Sequence, residues 1–369
     1  MRWSAEQDAA LGQINRWLRS SPEQQWLYLG GYAGTGKTTL AKHIAEGVDG
    51  PVCFAAYTGK AASVMRAKGC DGARTLHSLL YTARTDDLGN VTFELDEDSP
   101  AVTASLVILD EVSMVDEALA KDLLWLAKRV LVTGDPEQLP PVSGSGFFTV
   151  NAPDVMLTEI HRQAAESPII RLSMDVREGR GIAVGDHGAA RVVTKRGMDP
   201  ALASEADQVL VGMNATRNKA NAWLRSKRGI EGAPQRKDRL VCLRNNRKLG
   251  IYNGAVYDVL GPGKLRKKQR RKPDEITLNV RGEGEYEPVT VRAHQGVFGG
   301  GEVPRGKEGR GYDPFDYGYA LTVHKSQGSQ WDKVCIFDES RVFREDAKRH
   351  LYTGITRAAE DLTVVLNAA

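Results

Sequence analysis

The fold of the first half of the chain is indicated most clearly by Trp26-Leu27-Tyr28-Leu29-Gly30 and the Gly31-Tyr-Ala-Gly-Thr-Gly-Lys-Thr38 that follows it directly. The apolar run predicts a buried strand, and Thr38 to Glu46 has the pattern of the helix that follows it. Between them lies a full G-x-x-x-x-G-K-T loop, whose glycines let backbone N–H groups face one point at a helix N-terminus. The loop predicts a nucleoside triphosphate site, with a glycine-rich turn that binds nothing as the alternative. The predicted nucleotide-binding residues of the loop are Gly34, Thr35, Gly36, Lys37, Thr38 and Thr39, of which Lys37 reaches the β- and γ-phosphates and Thr38 ligates Mg²⁺.

Length and composition indicate a soluble globular protein of two or three domains. The chain has 369 residues, of which 26% are charged and 41% hydrophobic. No apolar run reaches the ~18–20 residues of a membrane span, and the N-terminus lacks the apolar core of a signal peptide. The four cysteines are scattered at positions 53, 70, 242 and 335. We therefore expect an intracellular protein with reduced thiols and with neither disulfide nor zinc.

The charge of the chain is uneven. Its formal net charge is only +3, yet the segment from Lys264 to Lys272 is dominated by lysine and arginine. A solvated loop and a contact to a nucleic-acid backbone explain such a run equally well.

The order of predicted elements indicates an α/β protein. Short apolar runs at 26–30, 52–56, 105–109 and 130–133 predict strands buried on both faces, and helical segments between them predict a parallel sheet. A polar hairpin with Gly89-Asn90 at its turn is predicted to interrupt this pattern at 84–99.

The second half of the chain predicts another α/β domain with an all-β insertion. Its predicted α/β elements are helical residues 158–178, a strand–helix pair at 208–228, a helix near 319–328, and strands at 333–337 and 362–366. Residues 239–300 show strand-like runs separated by Gly, Asn and Pro, which predicts a small β-barrel or sandwich, and 299–313 predicts a flexible connector.

Two further strand ends carry polar residues suited to nucleotide chemistry. Leu106-Val-Ile-Leu ends in Asp110 and Glu111, of which the first is suited to hold Mg²⁺ and the second to polarise an attacking water. Val130-Leu-Val-Thr leads into a rigid polar turn in which Gln138 can sense a γ-phosphate, although a satisfied loop amide is the simpler alternative.

These motifs form a series that resembles superfamily 1 helicases, closest to the 5′→3′ branch (superfamily 1B) that holds the RecD subunit and the Dda helicase of T-even phages. Eight motifs, in this order, carry the resemblance over about residues 5 to 366: the phosphate loop, Tyr57–Ala62, Thr75–Ser78, Asp110–Asp116, Gly134–Val142, Leu157–Gln163, Thr322–Gly328 and Tyr352–Arg357.

The resemblance implies two RecA-like motor domains with ATP and Mg²⁺ between them. It predicts the first motor at 1–154 with the 84–99 hairpin as its pin, the second motor at 155–238 and 312–369, and an SH3-like subdomain at 239–311. Arg162 and Arg357 are expected to stabilise the γ-phosphate during its transfer, whereas each alone could be a surface salt bridge. The catalytic set implied is Lys37, Asp110, Glu111, Gln138, Arg162 and Arg357, with Thr38 and Asp110 on the metal.

The resemblance also implies base and strand contacts. Gln7 is expected to contact the adenine edge, although Ser4 and Gln7 also have the spacing of a helix capping box. The residues expected on the backbone of single-stranded DNA are Thr58, Lys60, Thr75, His77, Thr322, His324 and Lys325. His77 and His324 have the alternative of satisfied interior histidines. Gln327 matches a position that couples the DNA and ATP sites.

Strand separation needs a wedge, which the family places in the hairpin. Phe93 is its only aromatic residue and is predicted to stack on the last base pair, with packing on its own domain as an equal alternative.

The sequence as a whole predicts an ATP-dependent 5′→3′ DNA helicase that translocates on single-stranded DNA and unwinds duplex. A translocase or remodelling ATPase acting on single-stranded DNA or RNA without strand separation is the nearest alternative, and a non-motor binding subunit is the rival from another class. Expected partners are single-stranded DNA, single-strand/duplex junctions, and replication or recombination proteins, with no membrane. We expect a monomer in the cytoplasm of a bacterium or a phage-infected host.

Overall fold

The computed structural model describes residues 3–20, 24–85, 91–140, 146–160, 166–244, 246, 249, 251, 253–264, 273–282, 287–304, 306–309 and 311–367. These residues form two compact units. The first comprises Met1–Ile182, Gln327–Ser329 and Lys348–Thr356, and the second comprises Ala183–Ser326, Gln330–Ala347 and Arg357–Ala369.

The first unit is built on a six-stranded parallel sheet. Its strands, in spatial order, are β3 (Arg74–Thr75), β2 (Val52–Ala56), β6 (Leu106–Asp110), β7 (Val130–Gly134), β1 (Trp26–Gly31) and β8 (Val155–Leu157). The four parallel strands predicted from the sequence are therefore confirmed, to within one residue at their ends.

Helices cover both faces of this sheet because successive strand side chains point to opposite sides. Leu27, Leu29 and Ile108 pack with Ile14 and Leu40 in one apolar cluster. A second cluster, on the other side of these strands, includes Tyr28, Val107, Leu109, Leu79 and Leu123. The helices of the unit are α1 (Ala5–Arg19), α2 (Lys37–Glu46), α3 (Gly59–Ala67), α4 (Leu76–Leu80), α5 (Pro100–Thr103), α6 (Glu117–Leu126), α7 (Pro168–Arg177) and, from the end of the chain, most of α11 (Ala347–Ile355).

A two-stranded antiparallel ribbon leaves the first unit where the polar insertion was predicted. Strands β4 (Tyr81–Thr85) and β5 (Val91–Leu95) pair with Ala83 opposite Phe93. The ribbon begins three residues earlier than the predicted 84. It also ends earlier than 99, because Ser99 caps α5 by accepting from the N–H of Ala101 at 3.1 Å. The predicted turn at Gly89-Asn90 lies outside the described residues.

The second unit contains a six-stranded sheet that is parallel except at one edge. Its order is β17 (Ala320–Thr322), β11 (Gln208–Val211), β18 (Trp331–Asp338), β19 (Ala358–Leu366), β10 (Ala190–Thr194) and β9 (Gly185–Asp186), with β9 antiparallel to β10. Helices α8 (Ala201–Ser204) and α9 (Asn214–Lys227) belong to this unit. The predicted strand–helix pair at 208–228 is confirmed.

A five-stranded antiparallel sheet completes the second unit. Its spatial order is β15 (Val289–His294), β14 (Glu275–Gly282), β13 (Val256–Pro262), β12 (Arg239–Cys242) and β16 (Phe315–Tyr317). In the chain, the short helix α10 (Gly306–Gly309) lies between β15 and β16. Four of these strands match the predicted all-β insertion. Strand β16 comes from beyond it, because Phe315 packs on Tyr257 with ring centroids 5.6 Å apart and draws the later segment into the same core.

The helix predicted near 319–328 is wrong. Residues Ala320–Thr322 form β17 beside β11, and a 3-10 turn at Val323–Ser326 follows. A short apolar run fits a buried strand and a buried helix equally well, and the hydrogen bonds of a neighbouring strand settle the choice.

The compact units also divide the chain differently from the predicted domains. The first unit runs to Ile182, and β8, which follows the predicted boundary at 154, pairs with β1. The predicted domain bounds stay a prediction. Within the part of the chain that the structure describes, no helix is long and apolar enough to cross a membrane.

Candidate nucleotide-binding site

The phosphate loop has the backbone that its glycines predict. Gly34 and Gly36 adopt the left-handed region with φ of 82° and 81°, which glycine occupies without a steric penalty. A Cβ on Gly31 would lie 2.7 Å from the Thr35 hydroxyl oxygen, so this position also requires glycine. Helix α2 then begins at Lys37, one residue earlier than predicted, with Gly36 as its N-cap. The loop therefore ends at a helix N-terminus, where backbone N–H groups favour an anion.

The Lys37 side chain lies back across the loop. Its ammonium donates to the carbonyl oxygens of Gly31 at 2.6 Å and Tyr32 at 3.0 Å. The adjacent Thr35 is almost fully buried, and its hydroxyl donates to the same Tyr32 carbonyl at 2.9 Å. Lys37 is thus held at the loop, where its charge adds to that of the helix terminus. Thr39, also predicted at this site, is exposed on the first turn of α2.

Gln7 connects α1 to the phosphate loop. Its backbone N–H donates to the Ser4 hydroxyl and its side chain accepts from the Ser4 N–H, which confirms the capping box. The side chain is 2% exposed and also donates to the carbonyl of Thr35 at 3.1 Å. These bonds fix the amide beside the loop, and its contact to adenine stays a prediction.

Asp110 and Thr38 lie together as a pair of oxygen ligands. The Thr38 hydroxyl lies 3.4 Å from one carboxylate oxygen of Asp110. The other carboxylate oxygen accepts from the Thr133 hydroxyl at 2.6 Å and from the N–H of Glu111 at 2.9 Å. One oxygen is therefore fixed by protein donors while its partner faces Thr38. A hydroxyl and a carboxylate at a phosphate loop are the hard oxygen donors that Mg²⁺ prefers, so these residues fit the predicted ion.

Glu111 has a strained backbone. Its φ of 56° and ψ of 47° lie in the left-handed region, which a residue with a Cβ rarely adopts. The strain occurs at the carboxyl end of β6, directly after Asp110, where the chain enters a 3-10 turn at Val112–Met114. Strained residues persist where the surroundings fix them, and they cluster at functional sites. The conformation supports the prediction that Glu111 has a chemical role.

The turn that carries Gln138 is anchored from several sides. The backbone N–H of Gln138 donates to the Asp135 carbonyl at 3.2 Å. The N–H of Leu139 donates to the Thr353 hydroxyl at 3.0 Å, and the Leu139 carbonyl accepts from the Gln327 amide at 2.7 Å. Gln327, predicted to couple the two sites, therefore contacts the turn that bears Gln138.

The described residues do not test the predicted role of the two arginines. Arg162 lies outside the described residues. Arg357 belongs to the second unit and is 4% exposed, and its carbonyl accepts from the N–H of Trp331 at 2.9 Å. Their action on a γ-phosphate stays a prediction.

Four of the predicted DNA contacts follow two neighbouring strands of the first sheet. Thr58 caps α3 and Thr75 caps α4, each by accepting a backbone N–H of its own helix. Lys60 is partly exposed on the first turn of α3. The ring of His77 lies 6.0 Å from the rings of both Tyr57 and Tyr81. The hydroxyls of Thr58 and Thr75 therefore stabilise the starts of α3 and α4. Lys60 and His77 lie on the same two helices, at the same end of the sheet.

The other three predicted DNA contacts lie at the end of β17 in the second unit. The Thr322 hydroxyl accepts from the N–H of Lys325 at 3.4 Å. Burial, with the nearby Arg217, lowers the pKa of Lys325 to about 8. Burial also lowers the pKa of His324, whose ring lies 5.4 Å from that of Phe343. An anionic partner close to such a lysine favours its charged form.

Two sequence predictions rest on side chains outside the described residues. The side chain of Phe93 is among them, although its place in β5 is described. Most of the basic segment 264–272 lies outside as well.

The carboxyl edge of the first sheet carries the predicted phosphate-binding residues and four of the predicted DNA contacts. Strands β1, β6 and β7 lead into the phosphate loop, the Asp110–Glu111 pair and the Gln138 turn. Strand β2 leads into Thr58, and β3 ends at Thr75. Ligands of open α/β sheets bind outside the carboxyl ends of parallel strands. The fold and this site define the chain as a phosphate-loop nucleotide-binding protein with a RecA-like α/β core.

Comparison with known proteins agrees with this class. Residues 3–197 match the model of the AAA domain, and residues 317–365 match that of the UvrD-like helicase C-terminal domain. The chain is 30% identical over 90% of its length to the ATP-dependent RecD2 DNA helicase of Deinococcus radiodurans, covering 46% of that protein. It is 35% identical over 41% of its length to the ATP-dependent DNA helicase Dda of phage T4, covering 38% of it.

A solved structure has the same fold. The Bacteroides Pif1 helicase, determined with single-stranded DNA, matches 100% of this chain and 92% of its own with a TM-score of 0.58 and 19% identity.

The chain belongs to the AAA domain family. The RecD-like and Dda-like resemblance predicted from the motif series is confirmed by the relatives. The chain spans less than half the length of either of these relatives.

Four residues that the structure places at the site have no role predicted from the sequence. Thr133 holds Asp110, and Asp135, Tyr352 and Thr353 hold the Gln138 turn. All four lie in or beside motifs that were recognised. A polar residue just before a glycine at the end of a buried strand, as at Thr133-Gly134, is the signal that could have found the first.

Proposed function

We propose that this protein is an ATP- and Mg²⁺-dependent DNA helicase that moves 5′→3′ along single-stranded DNA and separates duplex. The observation that carries the proposal is the shared carboxyl edge of the first sheet, with nucleotide residues after β1, β6 and β7 and strand-contact residues after β2 and β3. Both sets of residues follow adjacent β-strands of one sheet. A conformational change at the phosphate site can therefore alter the contacts to single-stranded DNA.

The predicted site residues divide the chemistry among them. Lys37 and the loop N–H groups bind phosphates, and Thr38 with Asp110 would hold Mg²⁺, which when bound neutralises charge on the β- and γ-phosphates. Glu111 orients and polarises the attacking water, and Gln138 senses the γ-phosphate. Arg162 and Arg357 stabilise charge on the transferred phosphoryl group.

The strand contacts use hydroxyls, a lysine and an imidazole. Such groups read phosphate and sugar and carry no sequence information, which suits a protein that must move along any sequence. Phe93, on the β4–β5 ribbon, is proposed as the wedge, and the antiparallel sheet of the second unit as an SH3-like cover for the strand. The relatives' names support DNA as the substrate, and the cytoplasm, where that DNA lies, as the location.

The decisive experiment compares duplexes with a 5′ or a 3′ single-stranded tail. We expect ATP- and Mg²⁺-dependent strand separation only with the 5′ tail, and none by the Lys37→Ala variant. Unwinding only from 3′ tails would reject the polarity.

The same assay separates the alternatives. Strong strand-stimulated ATP hydrolysis without unwinding would favour a translocase or remodelling ATPase. DNA binding with no ATP hydrolysis at all would favour a non-motor subunit.

A further inference from the structure

The hydroxyl of Tyr352 joins two loops of the nucleotide site. It donates to a carboxylate oxygen of Asp135 at 2.5 Å and accepts from the backbone N–H of Ala33 at 3.2 Å. Tyr352 is 1% exposed and Asp135 is 3% exposed. A buried hydroxyl that both donates and accepts fixes the groups on either side of it, because neither has water to replace the bond.

The Ala33 end of this bridge lies within the phosphate loop, directly before Gly34. A hydrogen bond to the Ala33 N–H sets the plane of the peptide that leads into the loop's left-handed glycines. The preceding residue is held as well, since the guanidinium of Arg177 lies 3.7 Å from the centre of the Tyr32 ring. Two consecutive loop residues are therefore positioned by α7 and α11.

The Asp135 end lies in the turn that bears Gln138. The other carboxylate oxygen of Asp135 accepts from the N–H of Glu137 at 3.0 Å, which closes the turn. The neighbouring Thr353 accepts from the N–H of Leu139 at 3.0 Å. Tyr352 and Thr353 thus hold the turn on both sides of Gln138. Burial and the Asp135 charge raise the pKa of Tyr352, so its hydroxyl keeps the proton that it donates.

We propose that Tyr352 is a positioning residue for nucleotide hydrolysis, whose hydroxyl sets the Gln138 turn in register with the phosphate loop. Tyr352 touches no reacting atom in this role. It acts through Ala33 and Asp135, and Thr353 supports it at Leu139. The inference rests on the proposed ATPase function, since only hydrolysis requires this register.

Tyr352→Phe tests the bridge because it removes one oxygen and leaves the ring. We expect kcat for ATP hydrolysis, measured with Mg²⁺ and oligo-dT, to fall about tenfold or more, because small misplacements at a reacting centre are costly. KM and the affinity for a fluorescent ATP analogue should stay within about threefold, since the loop still binds phosphates. A side chain of similar size without a hydroxyl should not restore kcat.

Tyr28→Phe is the matched control. Tyr28 is 1% exposed in β1, and its hydroxyl has no hydrogen-bond partner among the described residues. Tyr28→Phe therefore removes a buried tyrosine oxygen near Asp135 without breaking a hydrogen-bond bridge, and kcat should change less than about twofold.

A second pair of variants guards against a folding defect. Thr353→Val removes the acceptor for Leu139 and should lower kcat in the same way, whereas Thr353→Ser keeps the hydroxyl and should restore it. Thermal unfolding midpoints of all variants are measured beside the kinetics.

The outcomes are distinct. A wild-type kcat in Tyr352→Phe, an equal loss in Tyr28→Phe, or a loss of kcat explained by unfolding of the variants would overturn the inference while leaving the proposed function intact. Absence of ATP hydrolysis by the wild-type protein would overturn both.

Discussion

At the scale of single residues, the nucleotide site depends on residues that orient the predicted ligand contacts as much as on those contacts themselves. Asp110 was predicted from its place after an apolar run. The Thr133 hydroxyl that orients it, at 2.6 Å, was not. Ligating carboxylates are usually held by such partners. A sequence motif names the ligand, whereas only the fold shows which neighbouring strand supplies the partner.

We expect the proposed contact of Lys325 to make DNA binding dependent on pH. Its pKa is lowered to about 8 by burial and by Arg217, against the opposing charge of Asp316. A bound phosphate favours the charged form, so the proposed contact is strongest when Lys325 is protonated. As pH rises from 7 to 9, the free protein loses this proton, and we expect affinity for single-stranded DNA to fall about tenfold.

Fluorescence anisotropy with labelled oligo-dT at constant ionic strength measures this effect. Lys325→Arg keeps its charge at every pH used and should bind with nearly constant affinity. An equally steep pH dependence in Lys325→Arg would show that another group is responsible.

At the scale of elements, the sequence predicted most strands and helices and misplaced those that depend on distant partners. Strands β1, β2, β6 and β7 are continuous apolar runs, which is the signature of strands buried on both faces. Strand β17 was mistaken for a helix because its identity comes from pairing with β11. Strands β9 and β10 were not predicted at all. Their segment carries no strong apolar pattern, and β9 is a two-residue edge strand.

The capping box of α1 allows two roles of Gln7 to be separated. Ser4→Ala removes only the cap and should lower the free energy of unfolding by about 1 kcal/mol without changing the preference for ATP over GTP. Gln7→Ala removes the cap, the bond to Thr35 and the proposed adenine contact, so it should lower both stability and the ATP preference.

Denaturant unfolding and the ratio of kcat/KM for ATP and GTP check these expectations. An unchanged nucleotide preference in Gln7→Ala would leave Gln7 with a structural role alone.

At the scale of the whole molecule, the two sheets of the second unit are held together by a buried ion pair and a shared apolar core. In the second unit, the buried ion pair between Arg217 of α9 and Asp316 of β16, at 2.8 Å, joins a helix of the parallel layer to the antiparallel sheet. Asp316 also accepts from the N–H groups of Gly299 and Tyr317. A single core spans both sheets of this unit.

Breaking this pair should destabilise the second unit strongly. Asp316→Ala leaves a buried guanidinium without its partner and should cost about 3–5 kcal/mol. Asp186→Ala is the matched control, because its pair with Arg191 has a similar distance of 2.9 Å but is exposed, and it should leave the unfolding midpoint nearly unchanged. Urea unfolding followed by tryptophan fluorescence measures both, and similar losses in the two variants would contradict the argument.

The phosphate loop, the parallel core of the first unit and the family could all be predicted from the sequence. These depend on local patterns: glycines at left-handed positions, a lysine and threonine at a helix start, and apolar runs of strand length. The tertiary structure alone decided that Thr133 orients Asp110, that β16 joins the antiparallel sheet, and that Tyr352 bridges Ala33 and Asp135. Each of these joins segments far apart in the chain through a hydrogen bond or ring contact of a few ångströms. Such contacts leave no periodic trace in the residues between them, which is why only the folded chain reveals them.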